Sequence, residues 1–88
     1  MGSGGAVGWH HRAMNLTKVY RRVGAGEPEE LTVMAYIGVE DRDGDEIRLI
    51  RAVGDRVVED GIVFHGEGGE QWLREQHAGW TGAGYELV

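Results

Sequence analysis

The densest run of ionisable side chains is Glu40-Asp41-Arg42-Asp43-Gly44-Asp45-Glu46. Asp41, Asp43 and Asp45 stand at alternate positions, the spacing with which a calcium loop presents its first oxygen ligands. Such a loop also needs Gly at its sixth position and Glu at its twelfth, where this chain has Glu46 and Ala52. It further needs flanking helices, and the flanks here alternate like strands. The run therefore reads as the solvated tip of a hairpin. Its most useful chemistry is long-range attraction, with Glu40, Asp41, Asp43, Asp45 and Glu46 facing a basic groove on a partner.

Other chemistry is thinly supported. Gly66-Glu67-Gly68-Gly69 precedes a helical stretch, the layout of a phosphate-binding loop, because backbone N–H groups at a helix start attract anions. No Lys followed by Ser or Thr comes after it, and Glu67 and Glu70 would repel a phosphate. The segment reads as a connector. None of His10, His11, His65 and His77 forms a zinc-protease spacing. His65 and His77 could meet if the helix folds back on the sheet, but two ligands do not make a zinc site. There is no cysteine, and the single serine is Ser3, so no nucleophilic triad is indicated. No spacing selects a catalytic pair among the fifteen carboxylates. The chain is read as non-catalytic, with no metal and no cofactor.

Lys18-Val19-Tyr20-Arg21-Arg22 interleaves basic and aromatic residues, as nucleic-acid contacts do. Lys18, Tyr20, Arg21 and Arg22 are the candidate residues of that second reading. The competing expectation is that these charges pair with acidic neighbours. Residues 1–24 hold four basic residues and no acid, while residues 25–88 hold five arginines against fifteen carboxylates, for a net charge of −6. An acidic body repels phosphates and anionic membrane surfaces, so nucleic acid and membrane are disfavoured as partners.

Eighty-eight residues make one domain with a thin core. A domain this small without disulfides fits a reducing compartment, and a cytoplasmic location is expected. Residues 1–13 are Gly-rich, with Trp9, His10, His11 and Arg12, and lack the apolar run of a signal peptide. They read as a flexible leader, foreign or added from an upstream start. Residues 14–88 read as a single α+β domain.

Alternation is the clearest structural signal. From Leu31 to Val39 every odd position is apolar, which predicts a strand with Leu31, Val33, Ala35, Ile37 and Val39 on the core face. Met34 and Tyr36 share the other face, where they can form an aromatic contact patch or complete a second layer of core. A three-residue Arg42-Asp43-Gly44 loop then predicts pairing of Val39 with Ile47, Ile37 with Leu49 and Val33 with Val53. Asp60-Gly61 between Val57-Val58 and Ile62-Val63-Phe64 predicts a second hairpin, with Gly54-Asp55 a turn or bulge before it. Leu16 to Val23 reads as an earlier strand. Glu70 to Ala78 reads as a helix that buries Trp72 and Leu73, with Gly79 at its C′ position. Trp80 would fold under the helix end, and Tyr85 to Val88 would form a last strand.

The expected order is β-β-β-β-β-α-β: a mostly antiparallel sheet of five or six short strands with one helix on one face. A small, partly open β-barrel is the alternative. Open edges at the first and last strands make an edge-to-edge homodimer reasonable. The functional expectation is a protein-interaction module that binds a larger, basic-surfaced partner through the acidic tip and the Met34–Tyr36 face. It would act as an adaptor, or as an inhibitor mimicking nucleic-acid charge, of the kind a phage could encode. The alternatives are nucleic-acid binding through the basic first strand, and a small metal- or ligand-binding enzyme domain.

Overall fold

A computed structural model describes residues 13–24, 26–39 and 43–88. Among these residues five strands, β1 (Met14–Arg22), β2 (Glu29–Ile37), β3 (Asp45–Val53), β4 (Arg56–Gly66) and β5 (Glu86–Leu87), accompany one helix, α1 (Gly69–Gly82). The strands form one sheet in the order β4-β3-β2-β1-β5, with every pair antiparallel. The helix packs on one face, and the sheet is open rather than closed into a barrel. The fold is α+β, as the alternation and the late helical stretch imply.

The core follows from period-2 chemistry. Leu31, Val33, Ala35 and Ile37 of β2 are buried, and Tyr20, Ile47 and Tyr85 join them from neighbouring strands and the chain after the helix. Leu16, Leu49, Phe64, Trp72, Leu73 and Trp80 close around this cluster. Val33 and Ile47 are fully buried, each worth roughly 1.5–3 kcal/mol. The expected fifth core position, Val39, lies beyond the end of β2 and is half-buried.

Two expected turns are corrected. The β2–β3 register pairs Ala35 with Ile47, Val33 with Leu49 and Glu29 with Val53, four positions from the expected one. An even shift preserves the face, so the buried set survives it. The shift places small Ala35 opposite Ile47, both 0% exposed, beneath the helix. The connecting segment is correspondingly longer than three residues, and its near end is closed by the Asp45 carboxylate, whose Oδ1 accepts the Gly38 N–H at 3.0 Å.

The Asp60-Gly61 hairpin is absent. Residues 56–66 run as one eleven-residue strand along β3, and the reversal lies earlier, at Gly54-Asp55, between the paired residues Val53 and Arg56. Gly54 has φ 62°, which suits the first central position of a type II′ hairpin turn. Gly61 has no positive φ. Two register shifts, at Ile47/Arg48 and Arg51/Ala52, leave Val63 and Val58 as extra residues and let β4 follow the twist of β3. The order is therefore β-β-β-β-α-β.

The helix also exceeds its expected end. Gly79 lies inside α1, and the C-terminal turn closes instead where the Ala83 N–H donates to Gly79 O at 3.0 Å and the Tyr85 N–H to Trp80 O at 3.0 Å. Leu73, His77 and Trp80 recur at helical spacing on the sheet-facing side, and the Trp80 ring lies 5.1 Å from that of Tyr20. Contact with Tyr20 favours one more turn, against the helix-breaking tendency of Gly79.

Candidate functional site

The acidic end of the sheet is built by two connections. Asp45 pairs with Gly66 at the adjoining ends of β3 and β4, so the β2–β3 connection and the β4–α1 connection share one end of the molecule. Asp43 and Glu67 are exposed there, and Glu46 is half-buried. Glu40 and Asp41 fall outside the described residues. Asp45 is drawn into the fold: Oδ1 accepts from Gly38 and Oδ2 accepts the Gly69 N–H at 2.9 Å. Both carboxylate oxygens of Asp45 are thus engaged within the fold, where they organise this end of the sheet. Glu67 is the acidic neighbour that sequence spacing alone did not place beside the tip.

The second candidate surface is the face of the sheet away from α1. Register puts Thr32, Met34 and Tyr36 of β2 there with Arg48, Ile50 and Ala52 of β3. Met34 and Tyr36 are half-buried by sheet neighbours, and α1 lies on the opposite face. Beside them β4 forms the sheet edge and exposes Val57 (64%), Ile62 (52%), Val58 and Val63. Arg48 Nε donates to Asp60 Oδ1 at 2.9 Å, which raises the arginine's pKa above its ordinary value. Arg21 and Glu30 pair across β1 and β2 at 2.9 Å on the same face. The surface is a mosaic of apolar groups and neutralised ion pairs.

The basic and aromatic residues of the first strand do not share one face. Alternation sends Lys18, Tyr20 and Arg22 to the helix side and Arg21 to the other. Tyr20, the residue expected to stack on a base, is 3% exposed, and burial raises its hydroxyl pKa. Arg22 bonds Glu29 directly, donates to Ala83 O at 3.3 Å and stacks 4.6 Å above the Tyr85 ring. Glu29 is the hub. It also accepts the Tyr85 hydroxyl at 3.1 Å and pairs with Arg51 at 3.2 Å. The hydrogen bond from Arg22 is the largest influence on Glu29 and lowers its pKa, with Tyr85 and Arg51 acting in the same direction. The expectation that these basic residues pair internally holds for Arg21 and Arg22. Nothing in the spacing pointed to Glu29 as their common acceptor.

The two candidate histidines stay apart. His65 pairs with Glu46 at the end of β4, on the face away from α1. His77 lies on α1, with Nδ1 2.7 Å from the Tyr20 hydroxyl. No group of three metal-binding side chains occurs among the described residues. No helix among them is long and apolar enough to cross a membrane.

A groove of about 350 Å³ runs between β1 and α1. Met14, Leu16, Val33 and Leu73 form its apolar walls, Lys18 stands at its rim, and Tyr20 and His77 close one end. No local pattern of residues signals it, because β1 and α1, which line it, are far apart in the sequence. Comparison with protein-family models, curated proteins and solved structures finds no match to this chain.

Proposed function

We propose that this protein is a non-catalytic interaction module that binds a larger, basic-surfaced protein through the uncovered sheet face and the adjoining β4 edge. One observation carries the reading: an eleven-residue edge strand exposes Val57, Val58, Ile62 and Val63 next to the Met34–Tyr36 face. Several exposed apolar side chains beside neutralised charge suit a protein partner better than solvent. The acidic end, with Asp43 and Glu67, adds attraction that speeds encounter with a cationic surface. Acting as a charge mimic that occupies a nucleic-acid-binding protein is one form of this function. A cytoplasmic setting, consistent with the cysteine-free sequence, belongs to the same proposal.

The test begins with affinity capture from the native host by the full chain and by Ile62→Glu, with the captured protein identified and its affinity then measured. The expected partner binds the wild type and loses at least about tenfold in affinity to Ile62→Glu, since a charge is buried unpaired in the contact. Asp43→Asn with Glu67→Gln should slow association at low salt and matter little at high salt. A partner that binds Ile62→Glu and Tyr36→Ala as well as the wild type refutes the sheet-face reading.

A further inference from the structure

We propose that the free half of the β1 edge and the adjoining β1–α1 groove bind an extended peptide segment of a partner protein, added antiparallel to β1 in continuation of β5, apolar at alternate positions and carrying a carboxylate opposite Lys18. The site lies on the opposite side of the sheet from the Met34–Tyr36 face, so it stands independently of the function proposed above.

The backbone supplies the first half of the site. β5 covers β1 only at Tyr20 and Arg21, and the ladder's last bond is from the Val88 N–H to Val19 O at 2.8 Å. In an antiparallel pair the outward-facing residues alternate. Since Val19 points its carbonyl outward, Thr17 and Asn15 turn their N–H and C=O groups the same way. Both residues are exposed, and no described strand lies beside them. An open edge of this kind is a template for another strand, with main-chain hydrogen bonds giving affinity and pockets for alternate side chains giving specificity.

The groove supplies the second half. The side chains of β1 that alternate with Asn15 and Thr17 are Met14, Leu16 and Lys18, and all three line the groove. A strand beside β1 would place every second side chain above them. The β1–β5 register fixes which ones: Tyr20 faces Leu87 and Arg21 faces Glu86, so the next incoming residues meet Lys18, Thr17, Leu16, Asn15 and Met14 in turn. Those opposite Leu16 and Met14 enter apolar space. The one opposite Lys18 meets an ammonium with no ion-pair partner among the described residues, whereas Arg74 across the groove is already paired with Glu70 at 3.2 Å. The complementary sequence is acid, polar, apolar, polar, apolar. Residues 1–12 of this chain contain no carboxylate and carry Arg12, so they lack that charge.

The test uses the full chain, labelled with nitrogen-15, and the probe acetyl-Asp-Thr-Val-Thr-Leu-amide. The control is acetyl-Asp-Val-Thr-Leu-Thr-amide, which has the same composition but sends its apolar side chains to the other face. The probe should shift the amide signals of Asn15, Thr17 and Leu73 and bind at least about fivefold more tightly than the control. Thr17→Pro removes one outward N–H while sparing the ladder to β2, and Lys18→Glu reverses the rim charge. Each should weaken probe binding at least about fivefold with unfolding temperature retained. Ile62→Glu should leave it unchanged, which separates this site from the sheet-face function. Equal binding of the two peptides, no shift at millimolar probe, or indifference to Lys18→Glu overturns the proposal. So does a concentration-dependent increase in mass that protects the Asn15 and Thr17 amides without peptide, because a second copy is then the occupant.

Discussion

Asp45 and Gly69 are 24 positions apart and are joined by a carboxylate–amide hydrogen bond of 2.9 Å that fastens the start of α1 to the start of β3. The residue before the helix, Gly68, offers no side-chain cap, so Asp45 performs from a neighbouring strand the task an N-cap side chain usually performs locally. The same carboxylate holds Gly38. Asp45→Ala should therefore leave two backbone donors without their acceptor and cost about 2 kcal/mol of stability. Asp43→Ala, at an exposed neighbour, should change stability by no more than about 0.5 kcal/mol. Gly69→Ala should be damaging as well, because its Cβ would stand 2.9 Å from the Asp45 Cβ. Urea midpoints of the three variants measure the ranking, and equal midpoints for Asp45→Ala and Asp43→Ala would remove Asp45 from this role.

The Tyr20–His77 bond ties α1 to β1 beneath the Trp80 ring. Burial raises the pKa of the Tyr20 hydroxyl, and burial followed by the bond to Glu29 raises that of Tyr85. A folded pKa above the unfolded value of 10.0 means that the stabilisation is complete below that pH and is lost as pH rises through the folded value. The urea midpoint should thus hold steady through neutral pH and fall above about pH 10. Tyr20→Phe should lower the neutral-pH stability by about 1 kcal/mol and flatten the alkaline fall. A fall of undiminished steepness in Tyr20→Phe would assign the alkaline sensitivity elsewhere.

Glu29 predicts the acid limb. Its pKa is lowered from 4.5, chiefly by the hydrogen bond from Arg22. The sign is the reverse of the tyrosine case: the contribution is present above the unfolded value and disappears as pH falls through the folded one. Glu29→Gln should reduce stability at pH 7 and make the remaining stability less sensitive to acid below about pH 4.5. Parallel acid titrations by circular dichroism, wild type against Glu29→Gln, check this. Superimposable profiles would show that the hub contributes nothing to acid stability.

How much of this was legible in the sequence depends on the range of each signal. The odd-position run from Leu31 to Ile37 announces its own buried face, because slipping by one residue would expose all of it. Trp72 and Leu73 announce a helix with one apolar side. The register of the second strand pair was not legible, since shifts of two or four positions keep the same face inward. The acidic tip was legible as a charge cluster, but the inward turn of Asp45 depends on Gly69, which only the folded chain brings near. Tyr20 and His77 are 57 positions apart and share no local pattern. Lys18 and Arg22 looked like one basic patch with Arg21 because proximity in sequence conceals the alternation of a strand.

Gly61 offers the sharpest test of the strand that replaced the expected hairpin. Gly54-Asp55 and Asp60-Gly61 are both credible turn signals, and they exclude one another as the point of reversal. A turn at the second pair would leave much of the nine-residue β3 without a partner on that side. Turning at the first pair lets β3 be matched along its length, and Asp60 then reaches Arg48 at 2.9 Å. Gly61 has no positive φ, and a Cβ built on it meets no heavy atom within 4 Å. Glycine within a strand sacrifices stability through its greater freedom in the unfolded chain, so Gly61→Val should raise stability by about 0.5–1 kcal/mol. Gly54→Val, at φ 62°, should destabilise instead. Thermal or urea unfolding of the two variants decides the matter, and a destabilised Gly61→Val with a tolerated Gly54→Val would return the reversal to Asp60-Gly61.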